Sequence, residues 1–314
     1  MAIMVVVLMV AAAAYTSQKE MIFPEVAALA FGAWVMEETP WKGAKLNLWL
    51  SPTLAALTGF LIVRFFPYSP YLMIAAAFVL AALQLSLMRS SVLPSISAAI
   101  LPIILHCNSW YYPLCVCALT GTIAAGHFLA ERFGWGGHSG GPYGRDAVCR
   151  DNIYSRLIHW GKLFAVLLVV AAVALKSGWL FMIAPPLIVA FAEFSKPDCS
   201  IREKPVEVFL LLSLAAFSGV GWLYLINYLM HWPIWISAGL SVLSVFIFYH
   251  MLKLHFPPAA AIALLPVIIP AKNLWSYPWN VLLGSAVFLS ISVLWFGHRE
   301  IIRVNRDNVE STHG

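Results

Sequence analysis

Apolar residues gather into runs near 2–15, 21–36, 46–66, 70–88, 93–105 and 110–131, and after a polar stretch near 163–175, 179–194, 206–229, 233–252, 257–270 and 276–297. A helix needs about 20 residues to cross roughly 30 Å of hydrocarbon. The runs starting at 46, 70, 110, 206, 233 and 276 reach that length; those starting at 93 and 257 do not, because a helix of about 13 residues rises only about 20 Å. Composition agrees with the pattern: 61% of the 314 residues are hydrophobic, 11% are charged, and the mean hydropathy is +0.84. A soluble chain carries about twice that share of charge. A soluble enzyme, a disordered chain and a disulfide-stapled module are excluded, and the expected fold is an all-α polytopic membrane protein. The first run lacks the basic residues that open a signal peptide and is read as a structural helix.

The two halves match each other in order. Thr53–Gly59 pairs with Ser213–Gly219 at an offset of 160, Pro94–Pro102 with Pro258–Pro266 at 164, and Asn108-Ser109-Trp110-Tyr111-Tyr112-Pro113 with Asn273-Leu274-Trp275-Ser276-Tyr277-Pro278 at 165. The shared Asn-x-Trp-x-Tyr-Pro and the equally spaced prolines carry more weight than the alanine runs. The expected organisation is a first membrane repeat over 1–131, a Gly-rich polar linker over 132–162, a second repeat over 163–297 and a polar tail over 298–314.

Prolines mark the short runs. Pro94 and the pair Pro257-Pro258 open helices, where a missing N–H costs nothing, and Pro102 and Pro266 fall eight residues later, where each removes a hydrogen bond. A short helix stopped inside a bilayer must line a cavity or lie within protein, and broken segments at matching places in two halves point to a transporter's site. Pro24-Glu25 and Pro185-Pro186 open a second short element in each half. Counting these as crossings predicts five membrane-crossing helices plus one re-entrant segment per half, an odd number that would invert the second repeat. On that topology Arg145, Arg150, Arg156, Lys162, Lys196, Arg202, Lys204, Lys253 and Lys272 share one side, with the Asn227–Trp232 connection opposite and the tail's Arg299, Arg303 and Arg306 misplaced. Parallel repeats with four crossings each are the alternative.

The net charge of +5 sits in connections between apolar runs, as in cytoplasmic loops of membrane proteins, and does not indicate a nucleic-acid partner. The five cysteines form no metal-binding spacing. The segment Gly134–Pro142 is glycine-rich but lacks the Lys-Ser/Thr ending of a phosphate loop. No nucleophile–base arrangement stands out, so no enzyme, cofactor or metal is expected.

The stretch His255-Phe256-Pro257-Pro258 with the alanine-rich run to Leu264, followed by Tyr277-Pro278 and Leu283-Gly284-Ser285, resembles the HPP family of integral membrane proteins. Pro185-Pro186 through Phe191, Lys196-Pro197-Asp198, Lys204-Pro205 and Leu214-Ala215-Ala216 are similar to that family's amino-terminal pattern. The resemblance covers nearly all of 163–297 and, through the repeat, extends to 1–131, giving two HPP-like units in tandem. Phe256 separates His255 from the prolines, and the first half has Val92-Leu93-Pro94-Ser95 with no histidine. The resemblance implies transport, since some plastid and cyanobacterial members carry nitrite.

On physical grounds, helix starts present unpaired N–H groups and partial positive charge that suit a small anion or a polar neutral molecule. The expected pathway residues are Pro94, Ser95, Ser97, Pro102, Asn108, His255, Pro257, Pro258, Pro266, Asn273, Glu25 and Pro185. The scarcity of intramembrane Asp and Glu argues for a channel or uniporter over an ion-coupled cation carrier. A channel or uniporter for a small anion such as nitrite is expected, in a bacterial inner membrane, with the solute and the bilayer as partners and room for a homo-oligomer. The alternatives are a urea-like neutral-solute channel and a non-transporting assembly subunit.

Overall fold

The computed structural model describes residues 1–36, 41, 46–132, 153–196 and 200–296; the Gly134–Pro142 segment, Cys149, Cys199 and the tail lie outside them. The described residues form twelve α-helices and no strand: α1 (Ala2–Thr16), α2 (Glu25–Trp34), α3 (Asn47–Phe65), α4 (Pro70–Leu87), α5 (Pro94–Leu105) and α6 (Tyr111–Arg132), then α7 (Ile153–Ser177), α8 (Pro185–Phe194), α9 (Pro205–Trp222, continued as a π-helix to Leu229), α10 (Ile234–Leu252), α11 (Pro258–Leu264) and α12 (Tyr277–Phe296). Seven of them are long and apolar enough to cross a membrane. The chain is an integral multi-pass membrane protein. Helix α7 begins ten residues before the apolar run at 163, so the expected linker shrinks to 133–152.

Side-chain contacts fix the direction of each helix. Asn47 Nδ2 donates to the Met88 carbonyl at 3.1 Å and Ser51 Oγ to Ser90 Oγ at 2.9 Å, so α3 starts and α4 ends at one face, here the first face. Gly59 lies against the Ala99 carbonyl, which keeps α5 beside α3 and running the same way. Trp110 packs on Phe60 with ring centroids 4.5 Å apart, and Trp49 Nε1 donates to the Cys117 carbonyl at 3.1 Å, so α6 returns to the first face. Helix α2 runs alongside α6: Phe23 meets Tyr112 edge-on at 6.4 Å, and ten residues later the Ala33 carbonyl meets His127 Nδ1 at 2.9 Å.

The second half makes similar contacts, at corresponding positions for the glycines and at neighbouring ones for the rest. Gly219 lies against the Ala263 carbonyl, Tyr224 against Trp275, Phe181 edge-on to Tyr277 at 5.6 Å, and Ser195 Oγ shares a 2.9 Å hydrogen bond with Ser292 Oγ. The halves also interlock. Helix α1 packs on α10 and α7 on α4, while α2 packs on α11 and α8 on α5. Phe31 of α2 touches Tyr249 and Phe246 at the end of α10, which places that end at the first face.

Two expectations about topology give way. A cavity at the second face is lined by Lys19, Glu20, His106 and Cys107 from the first half and by Phe181, Lys272 and Asn273 from the second. Corresponding ends of the two halves therefore open at one face, and the halves run in the same sense, not inverted. Lys272 consequently lies with the Asn227–Trp232 connection and away from Lys253. The short helices are not re-entrant either. Helix α5 is entered from Ser90 at the first face and left at His106 in the second-face cavity; α11 is entered from His255, which stacks on Phe31, and left at Ile268–Asn273 in the same cavity. A non-helical residue advances about 3.3 Å against about 1.5 Å in a helix, so the lead of a few residues supplies the missing length. The six helices of each half thus alternate in direction, an even number, so corresponding ends of the two halves share a face.

Candidate functional site

The centre of the molecule is built from the four short helices α2, α5, α8 and α11. Each is buried over almost its whole length, whereas the long helices are buried along one side only. Alanine-rich sequence permits this close packing. Helices α2 and α8 start from the second-face side and α5 and α11 from the first-face side, so their starts lie inside the bilayer thickness. Helix α5 packs on α8, and α11 on α2, so each pairs with a short helix of the other half.

Two carboxylates lie on these short helices: Glu193, at the end of α8, accepts from Trp41 Nε1 and Lys196 Nζ, and the other lacks a cation. Glu25, the first residue of α2, is 1% exposed, and the Ser97 hydroxyl donates to its Oε1. Its other oxygen, Oε2, is buried without a partner, as is the hydroxyl of Ser95. Tyr112 and Tyr277, one from each half, both stand within electrostatic reach of Glu25. Tyr112 donates its hydroxyl to the Ala98 carbonyl at 2.8 Å and Tyr277 to the Ile262 carbonyl at 2.7 Å. By the offsets of the internal match, Ser95 and Ser97 correspond to Ala259 and Ala261, and Pro24-Glu25 to Pro185-Pro186. The second half is apolar where the first is polar.

The expected pathway residues thus divide. Glu25 and Ser97 come together, whereas Ser95, two residues earlier on α5, is buried with its hydroxyl unpartnered. Pro94, Pro102, Pro185, Pro257, Pro258 and Pro266 are buried in the same core, as helix openers and breakers. His255 is exposed at the first face and stacks on Phe31 at 5.9 Å, so it stands outside the core. Asn273 lines the second-face cavity; Asn108 is exposed beside it. Sequence reasoning missed Lys19 and Glu20 and read Lys272 only as a loop charge, while His106 was a candidate ionisable residue without an assigned place. Lys19, Glu20 and Lys272 lie in short connections between apolar runs, a signal that was available, but only the packed ends bring them together.

The cavity has a volume of about 300 Å³. Lys19 and Lys272 give it a cation from each half, and Glu20 places a carboxylate between them in sequence order. Cys107 is buried at its edge; desolvation, with Glu20 adding to it, pushes the thiol up to about 12, so it stays neutral.

Residues 150–300 match the family model described as "HPP, transmembrane region". No curated protein and no solved structure matches the chain.

Proposed function

We propose that this HPP-family membrane protein carries a small polar solute, and specifically a small anion such as nitrite, across the membrane between two duplicated halves. The observation that carries the reading is Glu25 with Ser95 and Ser97: a carboxyl group and two hydroxyls, incompletely satisfied, at the start of short helices that interlock across the halves. Unpaired polar groups in the middle of a bilayer are costly and mark solute or ion routes. Anions are favoured because Lys19 and Lys272 stand at the mouth.

Duplication is supported by the paired contacts: Gly59 and Gly219 on the carbonyls of Ala99 and Ala263, Tyr112 and Tyr277 on the carbonyls of the residues just before them, Ala98 and Ile262. Orientation follows from charge. Arg89, Arg132, Lys162, Lys196, Arg202, Lys204 and Lys253 belong to the first face, against Lys19, Arg64, Lys176 and Lys272 at the second. By the positive-inside rule the first face is cytoplasmic, as in a bacterial inner membrane.

Flux into proteoliposomes tests the reading, with nitrite, nitrate, formate, urea and water compared side by side. Protein-dependent flux of nitrite or formate ahead of urea and water is the expected result. Urea ahead of the anions would move the reading to a neutral-solute channel. The tight packing of the short helices favours one second reading, a subunit that assembles with other membrane proteins; intact protein that moves none of the five solutes would establish it over transport.

A further inference from the structure

We propose that Glu25 is a proton-carrying site, so that the anion crosses together with one proton. The inference rests on the transport reading and names what drives it. In the closed arrangement Glu25 is buried, accepts one hydrogen bond, from Ser97, and leaves Oε2 unpartnered. An ionised carboxylate in a dry core needs a cation or several donors, and without them it keeps its proton.

The surroundings supply no cation. Helices α1, α2, α5, α8, α11 and α12 contain no Lys, Arg or His at all. Helix α6 has His127, which engages the Ala33 carbonyl at the far end of α2, and Arg132 beyond it. From α5 the group meets Ser97. From α6 and α12 it faces Tyr112 and Tyr277, whose hydroxyls are already committed to backbone carbonyls. On the α1 side, the Met9 sulfur accepts from the Phe23 N–H at 3.3 Å. Lys19, six residues earlier, lies at the mouth and not in the core.

Glu25 is also placed to lose the proton once water arrives. It is the first residue of a ten-residue helix, where the partial positive charge of the helix start stabilises a carboxylate; that term matters only after desolvation is relieved. The cycle balances. While the site is buried the Oε2–H bond is intact. On opening to one face that bond breaks, the proton goes to water, and the carboxylate is reprotonated when the site opens to the other face. One anion and one proton together carry no net charge. Because Pro186, Ala259 and Ala261 replace the polar trio in the second half, each chain has one such site.

The test uses the full chain in liposomes containing a pH-sensitive dye, with a nitrite gradient and protein-free vesicles subtracted. For the wild type, nitrite entry is expected to acidify the interior in proportion and to ignore an imposed potassium–valinomycin potential. Glu25→Gln, isosteric and still able to accept from Ser97, is expected to lose acidification and accumulation driven by a pH gradient. An infrared carbonyl band of a protonated carboxyl group, present at neutral pH and absent from Glu25→Gln, is expected independently of flux. Nitrite flux that follows the membrane potential without acidification would overturn the coupling and leave transport standing, as would a Glu25→Gln protein that acidifies like the wild type. A missing infrared band would overturn the proposal too. Absence of any protein-dependent flux would remove the transport reading itself, and coupling with it.

Discussion

Tyr112 donates its hydroxyl to the Ala98 carbonyl at 2.8 Å, and that carbonyl is the one whose helical partner would be the N–H of residue 102, a proline. Tyr277 does the same for Ile262, whose partner would be residue 266, again a proline. The proline that interrupts each short helix and the tyrosine of each Asn-x-Trp-x-Tyr-Pro are therefore one device: the first orphans a buried acceptor and the second satisfies it. Tyr112→Phe is expected to cost about 1–3 kcal/mol, the usual penalty for a buried group left unpaired. In a Pro102→Ala background, where the backbone N–H is restored, the same substitution should cost far less. A double-mutant cycle read by thermal unfolding in detergent checks this; equal costs in both backgrounds would show that the hydroxyl serves some other end.

Gly59 and Gly219 are the positions where α3 and α9 touch the backbone of the short helices. A Cβ at Gly59 would overlap the Ala99 carbonyl oxygen, and one at Gly219 the Ala263 carbonyl oxygen, neither of which can swing away. Overpacking of this kind costs roughly 1–3 kcal/mol, so Gly59→Ala and Gly219→Ala are each expected to lower the melting temperature and the yield of monodisperse protein. Gly221, two residues further along α9, has open space around its Cβ direction. Gly221→Ala should be neutral or stabilising by up to about 1 kcal/mol, the helix-propensity gain. Comparable losses at all three sites would mean that helix contact is not what these two glycines provide.

Length and apolarity were enough to read six of the seven long helices; α7 read as a short run at 163–175 because its first turns carry Arg156, His159 and Lys162. The proline spacing marked α5 and α11 as short. What the sequence could not supply was the length added by the non-helical leads at 88–93 and 253–257. Without them a run of about 13 residues reads as unable to cross, the count of passes comes out odd, and the second half appears inverted. The central site was half legible. Glu25, Ser95 and Ser97 are conspicuous as polar residues in apolar runs, but the meeting of Glu25 with Ser97 depends on α2 packing against α5 and α11, which no local pattern encodes. His255 stood out because of the prolines beside it, yet those prolines turn the chain into the core and leave the histidine at the surface.

Halves that run in the same sense predict which positions react from the same side of a membrane. In a cysteine-free background, Asn108→Cys and Lys272→Cys should both be labelled by an impermeant thiol reagent from the face opposite the one that labels Arg89→Cys and Lys253→Cys. Inverted halves would instead place position 108 opposite 272. Labelling in right-side-out and inverted vesicles distinguishes the two, and labelling of 89 and 253 from the cytoplasmic side also checks the orientation inferred from charge.

Lys19 and Lys272 bring one cation from each half to a mouth about 300 Å³ in volume. Charges at a mouth raise the local concentration of an oppositely charged solute, and salt screens the effect over a Debye length of about 10 Å at 0.1 M. Lys19→Gln and Lys272→Gln are each expected to lower nitrite flux by roughly 2- to 10-fold at low ionic strength, with the deficit shrinking as potassium sulfate is added. Urea flux, where any is present, should not change, because a neutral molecule gains nothing from the field. Glu20→Gln, which removes the carboxylate from the same mouth, should act in the opposite direction and raise nitrite flux. A deficit independent of salt, or one shared by urea, would mean that the two lysines hold the shape of the mouth and do not attract the anion.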